Sequence, residues 1–218
     1  MTAHTPVVKP ISQIQLAAGS VMTIPNINWQ EFELILQELG EKPAAKIAYS
    51  NNTLRIIVPL PEHEISKDLI SDIIKILLKK TGQKYQSFAS TTFKKEGVAG
   101  VEPDASFYIQ NYQKIIGIRR LQSDDPPPDL AIEIELTSKT TIDAYEGLAV
   151  PEVWIYDDGK LTIYLLRNRK YFLSNISAIF PEIPITKIVP NIVERAWVVG
   201  SFQALEELEN MMITGDFE

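Results

Sequence analysis

Hydrophobic residues recur at helical spacing in two segments of the N-terminal half. Segment 29–39 has apolar residues at positions 32, 35, 36 and 39, which share one face of a helix. Asn28 before it and Glu31 three residues later have capping-box spacing, and Gly40 is a typical stop. Segment 62–80 has a similar stripe, follows Pro61 and ends before Gly82. The pattern therefore predicts two amphipathic helices, over 29–39 and 62–80.

Shorter apolar runs predict strands. Runs 46–49 and 53–58 flank Asn51-Asn52, and asparagine tolerates the positive φ of a tight hairpin turn. Further strand-like runs cover 85–91, 101–109, 130–137, 152–156 and 161–166. A short helix fits 140–149 and a final helical region fits about 192–212, where Gly200 makes a break possible. This order predicts a mixed α/β (α+β) fold, with a central mixed sheet flanked by helices, an N-terminal helix and hairpin, and a C-terminal helical extension.

Composition limits the class of protein. The 218 residues are 45% hydrophobic, which fits one domain with a full core, and the absence of cysteine excludes disulfides and thiolate metal sites. No apolar run reaches the roughly 18 residues of a membrane helix, and the first 25 residues do not resemble a signal peptide. We therefore expect a cytoplasmic protein that does not enter a membrane. We divide it into a loose arm (1–15), one domain (16–199) and an acidic C-terminal helical tail (200–218).

Two glutamates share one face of an otherwise apolar predicted strand. Along 130–136 the side chains alternate, so that the leucines and isoleucines share one face and Ala131, Glu133 and Glu135 share the other. Buried carboxylates need a cation, hydrogen-bond donors or a shifted pKa. The alternative is an edge strand whose second face meets water, where glutamate costs little. Alternation alone leaves both interpretations open.

Asp104 follows Pro103 at the start of the predicted strand 101–109. A Pro-Asp pair alone usually marks a turn. If this strand neighbours that of Glu133, however, the two carboxylates converge, and one or two carboxylates plus waters and substrate phosphates are what Mg²⁺ prefers. The pair therefore indicates a metal site. A weaker alternative is a hydrolase that uses the two acids as a general acid and base, as glycosidases do.

The order, spacing and flanks of these motifs resemble the Uma2 family of restriction-endonuclease-like proteins, within the PD-(D/E)xK nuclease superfamily. Pro103-Asp104 followed by Glu133-Ile134-Glu135 is a variant of that superfamily's signature. The resemblance spans about 16–199, and the matching stretches are 61–64, 90–93, 100–104, 107–111, 126–135, 137–138 and 147–154. It implies a restriction-endonuclease-like core, in which a four-stranded mixed sheet has a helix on each side and a divalent-metal site at one edge.

The resemblance also implies site residues. Asp104 and Glu133 would be the metal ligands, the backbone carbonyl of Ile134 would complete the set, and Mg²⁺ or Mn²⁺ would be the cofactor for hydrolysis of DNA phosphodiester bonds. Glu64, at the start of the second helix, is the further acid predicted to reach the metal. The implied enzyme is a divalent-metal-dependent DNA endonuclease, and we expect a homodimer because cutting both strands favours two sites.

The sequence departs from the superfamily at one position. Glu135 stands where a lysine is usual, so it is either a third metal ligand or a side chain that points to water. Lys139, four residues on, is the nearest cation that would substitute for that lysine. The departure supports a second hypothesis, in which the protein is a catalytically impaired relative that serves as a nucleic-acid-binding or protein-interaction module.

The net charge of −7 is unevenly distributed. Residues 194–218 contain six acidic side chains and one arginine, a net of −5, so the other residues together carry only −2. A strongly acidic surface would repel nucleic acid, whereas a nearly neutral domain with a bound cation tolerates it. The charge therefore predicts weak, metal-dependent and salt-sensitive DNA binding.

Overall fold

A computed structural model describes residues 10–40, 45–89, 91–122, 124–134 and 139–217, and these ranges form six helices and two sheets. The helices are α1 (Trp29–Leu39), α2 (Pro61–Lys80), α3 (Tyr112–Ile115), α4 (Lys139–Leu148), α5 (Ile185–Val199) and α6 (Ser201–Thr214). The strands are β1 (Val21–Pro25), β2 (Lys46–Ser50), β3 (Thr53–Ile57), β4 (Gln86–Phe88), β5 (Phe93–Lys95), β6 (Ala99–Val101), β7 (Ala105–Tyr108), β8 (Leu130–Ile134), β9 (Glu152–Asp157), β10 (Lys160–Arg167) and β11 (Lys170–Ser174).

The locally encoded elements form as predicted. The Asn28 side chain accepts a hydrogen bond from the Glu31 N–H at 2.9 Å, and the Glu31 carboxylate accepts one from the Asn28 N–H at 2.8 Å, so the capping box of α1 is complete. Asn51 and Asn52 both have positive φ in the turn between β2 and β3. These features depend on neighbours in sequence, which is why the chain alone was enough to predict them.

The strands form two sheets rather than one. The first has five antiparallel strands in the order β1-β3-β2-β6-β5, and the second has six in the order β11-β10-β9-β8-β7-β4. Within the second, β8 and β9 are parallel and the other pairs are antiparallel, because α4 links β8 to β9 as a crossover. The mixed α/β architecture is therefore confirmed.

Helices cover both faces of the six-stranded sheet. Residues Leu130, Ile132 and Ile134 of β8 pack in one core cluster with α2, α5 and α6. On the other face, Ala131 shares a second cluster with Tyr145 of α4 and with residues of the five-stranded sheet. Helix α4 thus lies between the two sheets, and α1 packs on the far side of the five-stranded one.

The chain passes from one sheet to the other at residues 102–104. The Glu102 N–H donates to the carbonyl of Ile47 in β2 at 3.0 Å, whereas the Asp104 N–H donates to the carbonyl of Ile132 in β8 at 3.0 Å. Pro103 between them has no N–H to pair with either strand. The single strand predicted over 101–109 is therefore wrong: β6 and β7 belong to different sheets, and the junction between them brings β2 close to β8.

The C-terminal region is helical and is interrupted at Gly200, where the sequence made a break possible, but it begins earlier than predicted. Helix α5 starts at Ile185, and Gly200, with φ of 89°, separates it from α6. Ala204 and Leu208 of α6 are fully buried in the cluster beneath the six-stranded sheet. The division into an arm, a domain and a tail stays a prediction. In the described ranges, each helix is too short or too polar to cross a membrane.

Candidate active site

Two carboxylates from adjacent strands share one cation at the junction of the sheets. Lys46, the first residue of β2, places Nζ 2.7 Å from Oδ2 of Asp104 and also pairs with Oε2 of Glu133. The side chains are only 15%, 7% and 3% exposed for Lys46, Asp104 and Glu133. The predicted convergence of Asp104 and Glu133 is therefore present in the structure, with an ammonium between the two acids.

Neighbouring groups hold both carboxylates in place. The Ile134 N–H donates to Oδ2 of Asp104 at 2.8 Å, and the Tyr145 hydroxyl donates to Oε1 of Glu133 at 2.5 Å. Tyr145 is fully buried on α4, so its ring is fixed by packing. These bonds orient the acids before any ligand arrives, which is the role of groups that surround a metal site.

Burial and charge act in opposite directions on the site's pKa values. Burial raises the pKa of Glu133 to about 7, although Lys46 and the Tyr145 hydroxyl both act to lower it. Burial alone would lower the pKa of Lys46, but Glu133 and Asp104 outweigh that effect and raise it above its ordinary value. The lysine is therefore charged at neutral pH, while Glu133 gains and loses its proton near neutrality.

A cavity of about 90 Å³ adjoins these three side chains. Its wall also includes His63 of α2, Glu102 of the junction and Thr141 of α4. Glu102 is only 8% exposed, and burial raises the pKa of its carboxyl. The space is large enough for a few water molecules and is lined by polar groups that can bind them.

Three of the predicted site residues line the cavity, and a fourth, Glu64, does not. Asp104, Glu133 and Ile134 all line the cavity, and β8 is an interior strand, so Glu133 does not face water on an edge strand. The Glu64 carboxylate is half exposed and pairs with Lys67. It is not among the groups that line the cavity, and its predicted catalytic role stays a prediction.

Two other predicted residues fall outside what the structure describes. Glu135 lies in the stretch 135–138, which is outside the described residues. The backbone of Lys139 begins α4, but its side chain is also outside what the structure describes. Their proposed roles, as a third ligand or water-facing acid and as a substitute cation, stay predictions.

Lys46 is the site residue that reasoning from sequence missed. It lies 58 residues before Asp104 and 87 before Glu133. The superfamily motif usually has lysine at the position of Glu135, so the sequence pattern indicates a cation only in that neighbourhood. The only available signal was a lysine at the start of an otherwise apolar strand, which is a common surface pattern and points to no particular partner.

The carboxylates fit a hard divalent cation. Both already bind one positive group, so a single cation position is within reach of Asp104 and Glu133, and the adjoining cavity has space for the remaining water ligands. Among the described side chains, no group of three or more His, Asp or Glu is close enough to form a complete metal site. Two carboxylates with water and substrate oxygens are sufficient for Mg²⁺.

One further buried acid is structural. Both carboxylate oxygens of Asp129 are occupied by donors of the 109–111 loop: Oδ2 accepts the backbone N–H groups of Ile109, Gln110 and Asn111, and Oδ1 accepts from the Asn111 side chain. This set of donors satisfies the carboxylate and stabilises the turn after β7. Stretch 107–111 is one of those that resemble the family. The hydrogen bonds give it a structural role, because its residues bind Asp129 rather than a substrate.

Comparison with known proteins identifies the family. A family model described as "Uma2: Putative restriction endonuclease" matches residues 29–196, which is most of the chain. The chain belongs to the Uma2 family. Lys46, Asp104 and Glu133 lie inside the matched range, and so does every strand of the two sheets except β1.

A solved structure has the same fold as this Uma2 chain. It is a crystal structure from Anabaena variabilis, described as "a putative nuclease belonging to DUF820". The TM-score is 0.52 at 16% sequence identity, with 82% of this chain and 99% of that chain covered. At this identity the likeness shows the fold alone. No curated protein sequence matches the chain.

The raised pKa of Glu133 predicts how stability depends on pH when no metal is bound. Because the folded protein keeps this proton at a pH where the unfolded chain has released it, the stabilisation is complete below about pH 4.5 and is lost as the pH rises from there through about 7. Lys46 adds no slope between pH 5 and 8, since its raised pKa keeps it charged throughout.

We therefore expect the free energy of unfolding of the wild type, relative to Glu133→Gln, to fall between pH 5 and 7.5, by up to about 1.4 kcal/mol per pH unit. Urea titrations in EDTA measure it. The difference between the two proteins removes the contributions of Glu102 and Glu152, whose pKa values are also raised by burial. A difference that is flat with pH would contradict a raised pKa for Glu133.

Proposed function

We propose that the chain is a divalent-metal-dependent DNA endonuclease, with Asp104 and Glu133 as the ligands of Mg²⁺ or Mn²⁺ and the carbonyl of Ile134 as a third. The observation that carries the proposal is the single cation position shared by the two buried carboxylates. Membership of the Uma2 family supports the reaction class. A bound cation would polarise a phosphate oxygen and lower the pKa of a nearby water.

Lys46 is the residue we propose in place of the missing motif lysine. Its ammonium is close to both acids and carries three donors, so it can bind a phosphate oxygen or the attacking water once the carboxylates turn to a metal. The water oxygen would bond to phosphorus, one P–O ester bond would break, and the leaving oxygen would take a proton. Tyr145 would keep Glu133 in place during these steps.

We propose that a phosphate reaches Asp104 through a second depression. It has a volume of about 150 Å³, shares Asp104 with the first cavity, and its polar lining also comprises Lys67, Asp68, Ser71 and Lys75 of α2 and Ser87 of β4. Lys67 and Lys75 pair with neighbouring acids on α2. Because these pairs leave little free positive charge, this geometry supports the weak, salt-sensitive DNA binding proposed from the net charge.

Metal-dependent cleavage tests the proposed function. Purified protein is incubated with supercoiled plasmid, linear duplex and single-stranded DNA, each with Mg²⁺, Mn²⁺ or EDTA. We expect cleavage with Mg²⁺ or Mn²⁺ and none with EDTA. Equal cutting in EDTA, or no cutting of any DNA with either metal, would refute the proposal.

The same ion pair supports a second candidate. A lysine that pairs with two buried acids also gives them a cation without any metal, as expected of a relative that has kept the fold as a binding module and lost the reaction. Calorimetry with Mg²⁺ and Mn²⁺ separates the two. Heat of binding that Asp104→Asn removes favours the nuclease, and the absence of any metal-dependent heat favours the module.

The sugar hydrolase that uses Asp104 and Glu133 as acid and base has less support. Both acids share one cation position, as the ligands of a metal do, and this counts against separate roles as acid and base. The cytoplasmic location predicted from the sequence stays a prediction.

Homodimerisation is also proposed. Large apolar side chains are exposed around the α5–α6 joint, where Trp197 is 61%, Val198 is 74% and Phe202 is 82% exposed. Exposed apolar groups of this size favour protein–protein contact. We expect light scattering to give a dimer mass for the wild type and a monomer mass for Phe202→Glu. The matched control is Leu34→Glu, which changes an exposed leucine of α1 and should leave the dimer intact. A monomer at every wild-type concentration would refute the dimer.

A further inference from the structure

One polar group in the wall of the cavity has no role in the proposed reaction. Thr141, in the first turn of α4, is only 2% exposed, and its Oγ1 has no hydrogen-bond partner among the described residues. It lines the same cavity as Lys46, Asp104 and Glu133. A buried hydroxyl without a partner costs free energy, so its occurrence here calls for a physical reason.

The described residues of α4 do not supply that reason. A threonine in a helix commonly bonds back to a carbonyl of the preceding turn, and Thr141 makes no such bond to a described residue. Two nearby donors are engaged, because Tyr145, one turn further along α4, donates to Glu133 and Lys46 donates to both acids. Water is a partner that suits the Thr141 hydroxyl, since a polar cavity of about 90 Å³ can hold it.

We propose that Thr141 is a positioning residue, whose hydroxyl binds a water molecule beside the cation held by Asp104 and Glu133. A hydroxyl can donate and accept at once, so it can fix both the place and the orientation of that water. The inference rests on the proposed function, since it requires the carboxylates to bind a cation. It extends that function by assigning α4 a second contact with the site, in addition to Tyr145.

The test compares Thr141→Val, which keeps the shape and removes the hydroxyl, with Thr141→Ser, which keeps the hydroxyl. Mn²⁺ affinity is measured by electron paramagnetic resonance or calorimetry without DNA, and unfolding is measured in EDTA. We expect Thr141→Val to bind Mn²⁺ about 10-fold more weakly and Thr141→Ser to stay within about 2-fold of the wild type. Without metal, Thr141→Val should be at least as stable as the wild type, because the threonine hydroxyl has no hydrogen-bond partner among the described residues.

The outcomes separate this inference from the proposed function. Wild-type Mn²⁺ affinity in Thr141→Val, together with loss of binding in Asp104→Asn, would overturn the role of Thr141 and leave the nuclease proposal standing. Equally weak binding in the valine and serine variants would also overturn it, since the hydroxyl would then not be the cause. A wild type that binds no Mn²⁺ would overturn both.

Discussion

Asp104→Asn is expected to lower metal-dependent DNA cleavage at least about 1000-fold, and Glu133→Gln to do the same. A bound divalent cation contributes several kcal/mol to transition-state stabilisation, and about 4 kcal/mol corresponds to a factor of roughly 1000 in rate. Each substitution removes one of the two anionic ligands while keeping its size. An asparagine oxygen can still accept the Ile134 N–H that now bonds to Oδ2 of Asp104, so the junction between the sheets should persist.

Mn²⁺ titration and single-turnover cleavage measure this effect together. Asp158→Asn is the matched control, because Asp158 is an exposed acid in the turn between β9 and β10, lines neither cavity and has a positive φ that asparagine tolerates. We expect it to cut and bind metal as the wild type does. If Asp104→Asn and Glu133→Gln kept wild-type affinity for Mn²⁺, the carboxylates would not be its ligands, and the structural ion pair would be the better account.

Lys46→Met is expected to cut DNA about 100-fold more slowly and yet to bind Mn²⁺ more tightly than the wild type. Removal of one charged donor from an active site typically costs about 100- to 1000-fold in rate. Metal binding should improve because the ammonium, which competes for both carboxylates, is gone. Tighter Mn²⁺ binding together with slower cleavage distinguishes a catalytic lysine from a passive counter-ion.

Stability provides an independent check on the same variant. Without Lys46 two buried carboxylates lose their cation, and breaking a buried pair costs about 3–5 kcal/mol. We therefore expect Lys46→Met to unfold more easily in EDTA and to regain stability with Mn²⁺. Lys170→Met, which removes an exposed lysine paired with Glu146, should change neither rate nor affinity. If Lys46→Met cleaved DNA at the wild-type rate, Lys46 would not be the catalytic lysine, and Lys139 would be the cation to test next.

The two acids of the candidate site can be predicted from the sequence. The alternation along 130–134 placed Glu133 on the face opposite Leu130 and Ile132, and the structure confirms this, with the two apolar residues in one core cluster and Ala131 in the other. Asp104 was recognised from its motif and its spacing. Whether Glu133 was buried could not be read from alternation, because an edge strand and an interior strand give the same pattern.

Local sequence patterns are enough to predict the features that depend on near neighbours: the capped helix after Asn28, the hairpin at Asn51-Asn52 and the two-faced strand that carries Glu133. The change of sheets at Pro103 and the contact of Lys46 with both acids are visible only in the folded chain. The cause is the separation of these residues along the chain. A contact across 58 or 87 residues leaves no local periodicity, and it forms only when two sheets pack and bring their strands together.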